Sequence, residues 1–142
     1  MLRTFWGIIA GGIAGIVTMS ILESAGDLIF PMPLAADLSK AGASLTYLDQ
    51  MPAGAKVIIL VGWAGASYLA SALALRLGHS KNPRVGWAAG AAVFLAGVLS
   101  LAMIPHPWWM WVAGIPALAL PAWFAARHLA PKPIDMRKAT PG

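Results

Sequence analysis

The sequence predicts an all-α integral membrane protein, a bundle of four transmembrane helices with both termini inside, and three observations carry that expectation. Of the 142 residues, 59% are hydrophobic and 11% charged, against roughly 45–50% apolar and about 25% charged in an ordinary soluble domain. The apolar residues collect in four runs, 4–30, 57–77, 85–104 and 108–126, each near the ~20 residues that cross a ~30 Å hydrocarbon core as helix. The positive charges, finally, stand almost entirely on one side of those runs.

None of the runs alternates in the way a barrel strand must, so the spans are read as helices. The first run is far longer than the apolar core of a signal peptide and is expected to be retained as a span. Connections this short leave nothing for a soluble module, and residues 1–142 are expected to form one transmembrane domain with an outer loop over 31–56 and a cytoplasmic tail over 130–142. There are no cysteines, which excludes disulfides, thiolate metal sites and thiol chemistry. A net charge of +5 and a pI near 10.1 would suit nucleic acid. The cations stand beside helix ends, however, where anchoring to membrane lipids explains them and nucleic acid is not needed.

Arg3, Arg76, Lys81, Arg84, Arg127, Lys132, Arg137 and Lys138 fall on one side of the four spans; Lys40 and Lys56 fall on the other, beside Asp37 and Asp49. The positive-inside rule then places both termini in the cytoplasm and loops one and three outside. A bacterial inner membrane is the expected location.

In the first helix Gly7, Gly11 and Gly15 recur at four-residue spacing, and Met19, Glu23 and Asp27 continue the series. Small residues so spaced let another backbone come close, the usual basis of helix association in lipid. The stripe is therefore read as a packing face. Glu23 and Asp27 lie in the stretch TMSILESAGDLIFP, and a carboxylate in a membrane span is a functional candidate by its cost alone. Together with Ser20 they are expected to stay within one polar sector, the acids turned into the bundle, although Asp27, one turn from the outer end, can also reach the interface. Pro31 and Pro33 end the helix. In the loop that follows, SLTYLDQ at Ser44 to Gln50 suits a short capped helix or a plain connection.

The second helix repeats the device with Gly62, Ala66, Ala70 and Ala74, flanked by Ser67 and Ser71, a face suited to the first helix. At its end His79, beside Arg76 and Lys81, reads as a solvated interfacial side chain. The third helix carries Gly86, Gly90 and Gly97 and no ionisable residue within the membrane. It leads into IPHPWWMW, where prolines fix a sharp turn around His106.

His106 stands at the same face of the membrane as Glu23 and Asp27. An imidazole and two carboxylates are the groups that bind a divalent cation such as zinc or relay protons. The alternatives are a structural hydrogen bond between His106 and an acid, or no contact. Trp108, Trp109 and Trp111 read as interfacial belt residues, with stacking on a quinone or pigment as the other use. Trp6, Trp87 and Trp123 suit the opposite belt, and Trp63 lies nearer the outer end. Pro116 and Pro121 interrupt the fourth helix and predict a kink. The proline-rich, basic tail should be disordered unless it docks on something.

Three segments, ESAGDLIFPMP, MPAGA and IPHPWWMW, resemble those of a loosely defined family of small four-helix bacterial membrane proteins of uncharacterised function. The resemblance spans nearly the whole chain and implies the same four-helix fold. Relatives often carry histidine where this chain has Asp27, a departure that counts against a strict metal site. The family brings no activity with it.

There is no Gly-rich phosphate loop and no paired nucleophile and base. The leading expectation is a non-enzymatic accessory or assembly subunit that packs through its Gly/Ala faces into a larger membrane complex, or into a homo-oligomer. The alternative is a small transporter or ion-binding protein that uses Glu23, Asp27 and His106. Against it, Glu23 is shallow for a midplane transport site and the two halves show no repeat. No cofactor is evident from any motif.

Overall fold

The computed structural model describes residues 2–30, 51–104 and 106–130, and of Asp27 the backbone only. The described residues form four helices: α1 over Leu2–Ile29, α2 over Ala53–Leu77, α3 over Pro83–Met103 and α4 over Trp108–Leu129. All four are long and apolar enough to cross a membrane. The expected helix at Ser44 to Gln50 and the tail beyond Ala130 lie outside the described residues.

Two boundaries differ from the apolar runs by more than two residues. α2 begins at Ala53, ahead of Val57, because Pro52 sets the start: its carbonyl accepts the N–H groups of Ala55 and Lys56 at 3.0 and 3.3 Å. Lys56 ends the apolar run but not the helix, since a lysine stem lies along apolar surface while its ammonium reaches out. α4 continues past Ala126 through Arg127 and His128 to Leu129, and cations in a last turn suit the helix dipole. At the start of α3, Asn82 accepts the N–H of Arg84 at 3.0 Å ahead of Pro83 in the first turn, a favourable cap and first-turn pair.

The helices run alternately up and down. The start of α1 lies against the end of α2, where a Cβ on Gly7 would stand 2.6 Å from the Gly78 nitrogen. At the far end Phe30 closes over Gly54 and joins Met51, Ala55 and Ile59 in a small apolar cluster. α2 is the central element and packs on all three others; α1 packs on α2 and α3, and α3 on α4.

Steric space explains the glycine stripe. A Cβ on Gly11 would lie 2.5 Å from the Ala70 carbonyl oxygen and 2.9 Å from the Ala74 nitrogen, and one on Gly15 would lie 2.8 Å from the Ala70 methyl. Gly7, Gly11 and Gly15 thus face Ala66, Ala70, Ala74 and Gly78, backbone against backbone. Gly62 in turn faces Leu22 of α1. These faces are spent inside the chain.

Beside the alanine stripe of α2 runs a polar one. Trp63, Ser67 and Ser71 recur every four residues, and all three are fully buried. Each bonds a different neighbour: Trp63 donates to Glu23 of α1, Ser67 to the Leu118 carbonyl of α4, and Ser71 to the Gly86 carbonyl of α3 at 2.7 Å. Small-residue contact and interhelical hydrogen bonds are the two main attractions open to helices in lipid, where burial of apolar surface gives no preference. α2 supplies both. α4 remains one continuous helix through Pro116 and Pro121.

Candidate functional site: a buried indole that holds Glu23

The site begins with Trp63. Its ring stands in a slot that only a glycine leaves open, since a Cβ on Gly114 of α4 would come within 2.8 Å of its Cζ3 atom. Leu101 of α3 packs beside the same glycine, and Trp63 itself is 0% exposed. A buried indole N–H requires an acceptor. It finds one in Glu23, whose Oε1 accepts from Nε1 at 2.8 Å.

Glu23 reaches Trp63 because of its place on α1. It follows Gly15 and Met19 at four-residue spacing, so it inherits the face that Gly11 and Gly15 bring against α2. Ser20 does not share that sector. It is exposed, and so is Ser24. A step of three residues turns a helix by about 300° and leaves Ser20 about 60° from Glu23, enough here to turn it outward. The sector that Ser20 was expected to share with Glu23 is corrected accordingly.

His106 meets the site through the Trp63 ring. Its ring packs edge-on against the Trp63 ring, centroids 6.2 Å apart at 61°. Its Nδ1 lies 2.7 Å from the Ile104 carbonyl oxygen, and a carbonyl can only accept, so Nδ1 carries the proton and donates. The described hydrogen bonds therefore join Glu23 to Trp63 and His106 to its own loop. The Trp63 indole touches both, by a hydrogen bond to the carboxylate and by ring packing on the imidazole. The side chain of Asp27 lies outside the described residues. Among the described residues no three His, Asp or Glu side chains gather as a metal would require.

The tryptophans after His106 divide. Trp108 is 77% exposed, in keeping with an interfacial ring, whereas Trp109 and Trp111 are half-buried and pack against the core. Trp6, Trp87 and Trp123 are exposed, and the Arg127 guanidinium lies over the Trp123 ring at 5.1 Å.

Trp63 is the residue that reading the sequence missed. The signal was present, because Trp63 heads the series Ser67 and Ser71, and a large indole in line with two buried hydroxyls points inward. Among the described residues no buried side-chain nitrogen or oxygen lacks a partner. Chemically, the arrangement links α1 to α2 through one hydrogen bond between side chains. Comparison with known protein families, curated proteins and solved structures finds no match to the chain.

Proposed function

We propose that the chain is a non-enzymatic accessory subunit of a larger membrane complex, held in a bacterial inner membrane with both termini in the cytoplasm. The observation that carries this reading is the outward face of α1. Its glycines are spent against α2, yet Ser20 and Ser24, four residues apart and both exposed, line a shallow groove of about 490 Å3 with Ile16, Ile21, Ala25 and Leu28. A hydroxyl-bearing small-residue pair turned away from its own bundle favours close approach of another helix in lipid. Among the described residues α1 packs on α2 and α3 and not on α4.

The Glu23–Trp63 bond supports the same reading from the inside. The acid that a transporter or ion-binding protein would use is engaged as a structural acceptor. The orientation rests on charge: Arg3, Arg76, Lys81, Arg84 and Arg127 stand at the end of the bundle where α1 begins, and Lys56 at the other. The positive-inside rule makes the first end cytoplasmic.

The test is purification from the native host in mild detergent, followed by native mass spectrometry of the wild type and of a Ser20→Leu, Ser24→Leu variant. The expected result is wild-type chain in stoichiometric company with larger subunits, and variant chain that is folded but alone. Wild-type chain that arrives alone, with a metal that Glu23→Gln abolishes, overturns the accessory reading in favour of an ion site.

A further inference from the structure

The turn from α2 into α3 contains a feature that the bundle does not require. His79 has φ 46°, the one positive φ outside glycine among the described residues. It closes α2 as a Schellman motif: the Ser80 N–H bonds the Leu75 carbonyl at 3.1 Å and the His79 N–H bonds that of Arg76 at 3.2 Å. The left-handed position of this motif ordinarily belongs to glycine, because a Cβ there is strained. The chain has a glycine one residue earlier, at Gly78, where a Cβ would stand 2.7 Å from the Ala74 oxygen and 3.4 Å from Thr4 of α1. Gly78 serves the contact with α1. His79 bears the strain.

Backbone strain held in place by its surroundings is a pointer to use. His79 lines a pocket of about 300 Å3 together with Arg76, Ser80 and Lys81, over a floor of Leu75 and Leu129 from the ends of α2 and α4. Its Nδ1 lies 3.1 Å from the Leu77 carbonyl oxygen, which leaves Nε2 for another partner. Arg76 and Lys81 are exposed cations. Among the described residues no carboxylate stands at this end of the bundle, because Glu23 and Asp27 both belong to the far end. An arginine fork, an ammonium and a hydroxyl around one hollow match the oxygens of a phosphate. Two leucines beneath them match the glycerol and first methylenes of an acyl chain.

We propose that this pocket binds the phosphodiester of an anionic phospholipid, with Arg76 and Lys81 supplying charge, the Ser80 hydroxyl donating to a phosphate oxygen, His79 Nε2 accepting from a headgroup hydroxyl, and Leu75 with Leu129 receiving the chain. Basic pockets between transmembrane helices are the usual seat of such headgroups. This inference is independent of the accessory-subunit reading, since it lies at the opposite end of the bundle from the Ser20 and Ser24 groove.

The experiment is thermal unfolding of the purified full chain in neutral detergent, titrated with phosphatidylglycerol, with phosphatidylcholine, or with inorganic phosphate. Phosphatidylglycerol is expected to raise the midpoint saturably, and phosphatidylcholine and inorganic phosphate are not. Arg76→Gln and Lys81→Gln should each raise the half-saturating concentration about fivefold, and the pair about 25-fold, from the usual weight of one basic residue near an anionic lipid surface. His79→Gly separates the two roles of that residue: its lipid-free midpoint should rise while its affinity for phosphatidylglycerol falls. An equal rise with phosphatidylcholine overturns the proposal, as does full stabilisation by inorganic phosphate, which marks a free-anion site. So does an Arg84→Gln, Arg127→Gln control that weakens binding as much as the pocket variants, because diffuse charge then explains the effect.

Discussion

Glu23 illustrates how a costly side chain becomes affordable. Its Oε1 is matched to a single buried N–H, so the relevant property is an acceptor at that point and not the charge. Glu23→Gln keeps an oxygen at the same place, and Glu23→Leu removes it. The expected outcome in chemical or thermal unfolding is a change within about 1 kcal/mol for the glutamine variant. For the leucine variant a loss of about 1–3 kcal/mol is expected, the cost of leaving a buried donor unsatisfied. Equal losses for both would show that the negative charge itself is required, and the structural account of Glu23 would fall. The same side chain shows where reading by sequence stops. That Glu23 turns inward followed from its register with Gly11 and Gly15. That its partner is Trp63 did not follow, because the partner lies 40 residues away and a tryptophan near a helix end is more often at an interface.

At the scale of the helix, α2 organises its neighbours through two adjacent stripes, alanine toward α1 and hydroxyl or indole toward the site and the carbonyls of α3 and α4. The glycines of α1 and α2 are not equivalent. Gly11→Ala on the partner helix pushes a methyl to within 2.5 Å of the Ala70 oxygen, whereas a methyl on Gly65 meets nothing within 4 Å. Overpacking costs about 1–3 kcal/mol, and replacing an unneeded helical glycine by alanine gains up to about 1 kcal/mol. Gly11→Ala is therefore expected to lower the unfolding midpoint and Gly65→Ala to hold or raise it. The reverse order would mean that α1 and α2 do not meet along this face. Ser67→Ala and Ser71→Ala should each lose about 0.6 kcal/mol, the average for interhelical bonds of this kind, with the fold retained. The glycine and alanine stripes were legible because spacing alone reveals them. The interhelical use of Ser67 and Ser71 was not, because a carbonyl acceptor on another helix leaves no mark in sequence.

For the whole molecule, composition made the four helices legible, since each apolar run has the length that spans a hydrocarbon core as helix. The start of α2 and the end of α4 were misjudged by a few residues because hydropathy reports where lipid ends and not where the helix does. Orientation is the property that charge predicts and that a bundle alone does not reveal, and the chain offers a clean way to measure it. It has no cysteine, so each introduced thiol is the only one. Ser80 lies in the turn between α2 and α3 at the basic end, and Met103, 82% exposed, closes α3 at the other. α3 has 21 residues, about 31 Å at 1.5 Å per residue, which matches a ~30 Å hydrocarbon core. In intact cells a membrane-impermeant maleimide should label Met103→Cys and spare Ser80→Cys until the membrane is opened. Labelling of Ser80→Cys alone would invert the bundle. Labelling of both would mean that α3 does not cross, and with it would go the argument that the basic end faces the cytoplasm and its anionic lipids.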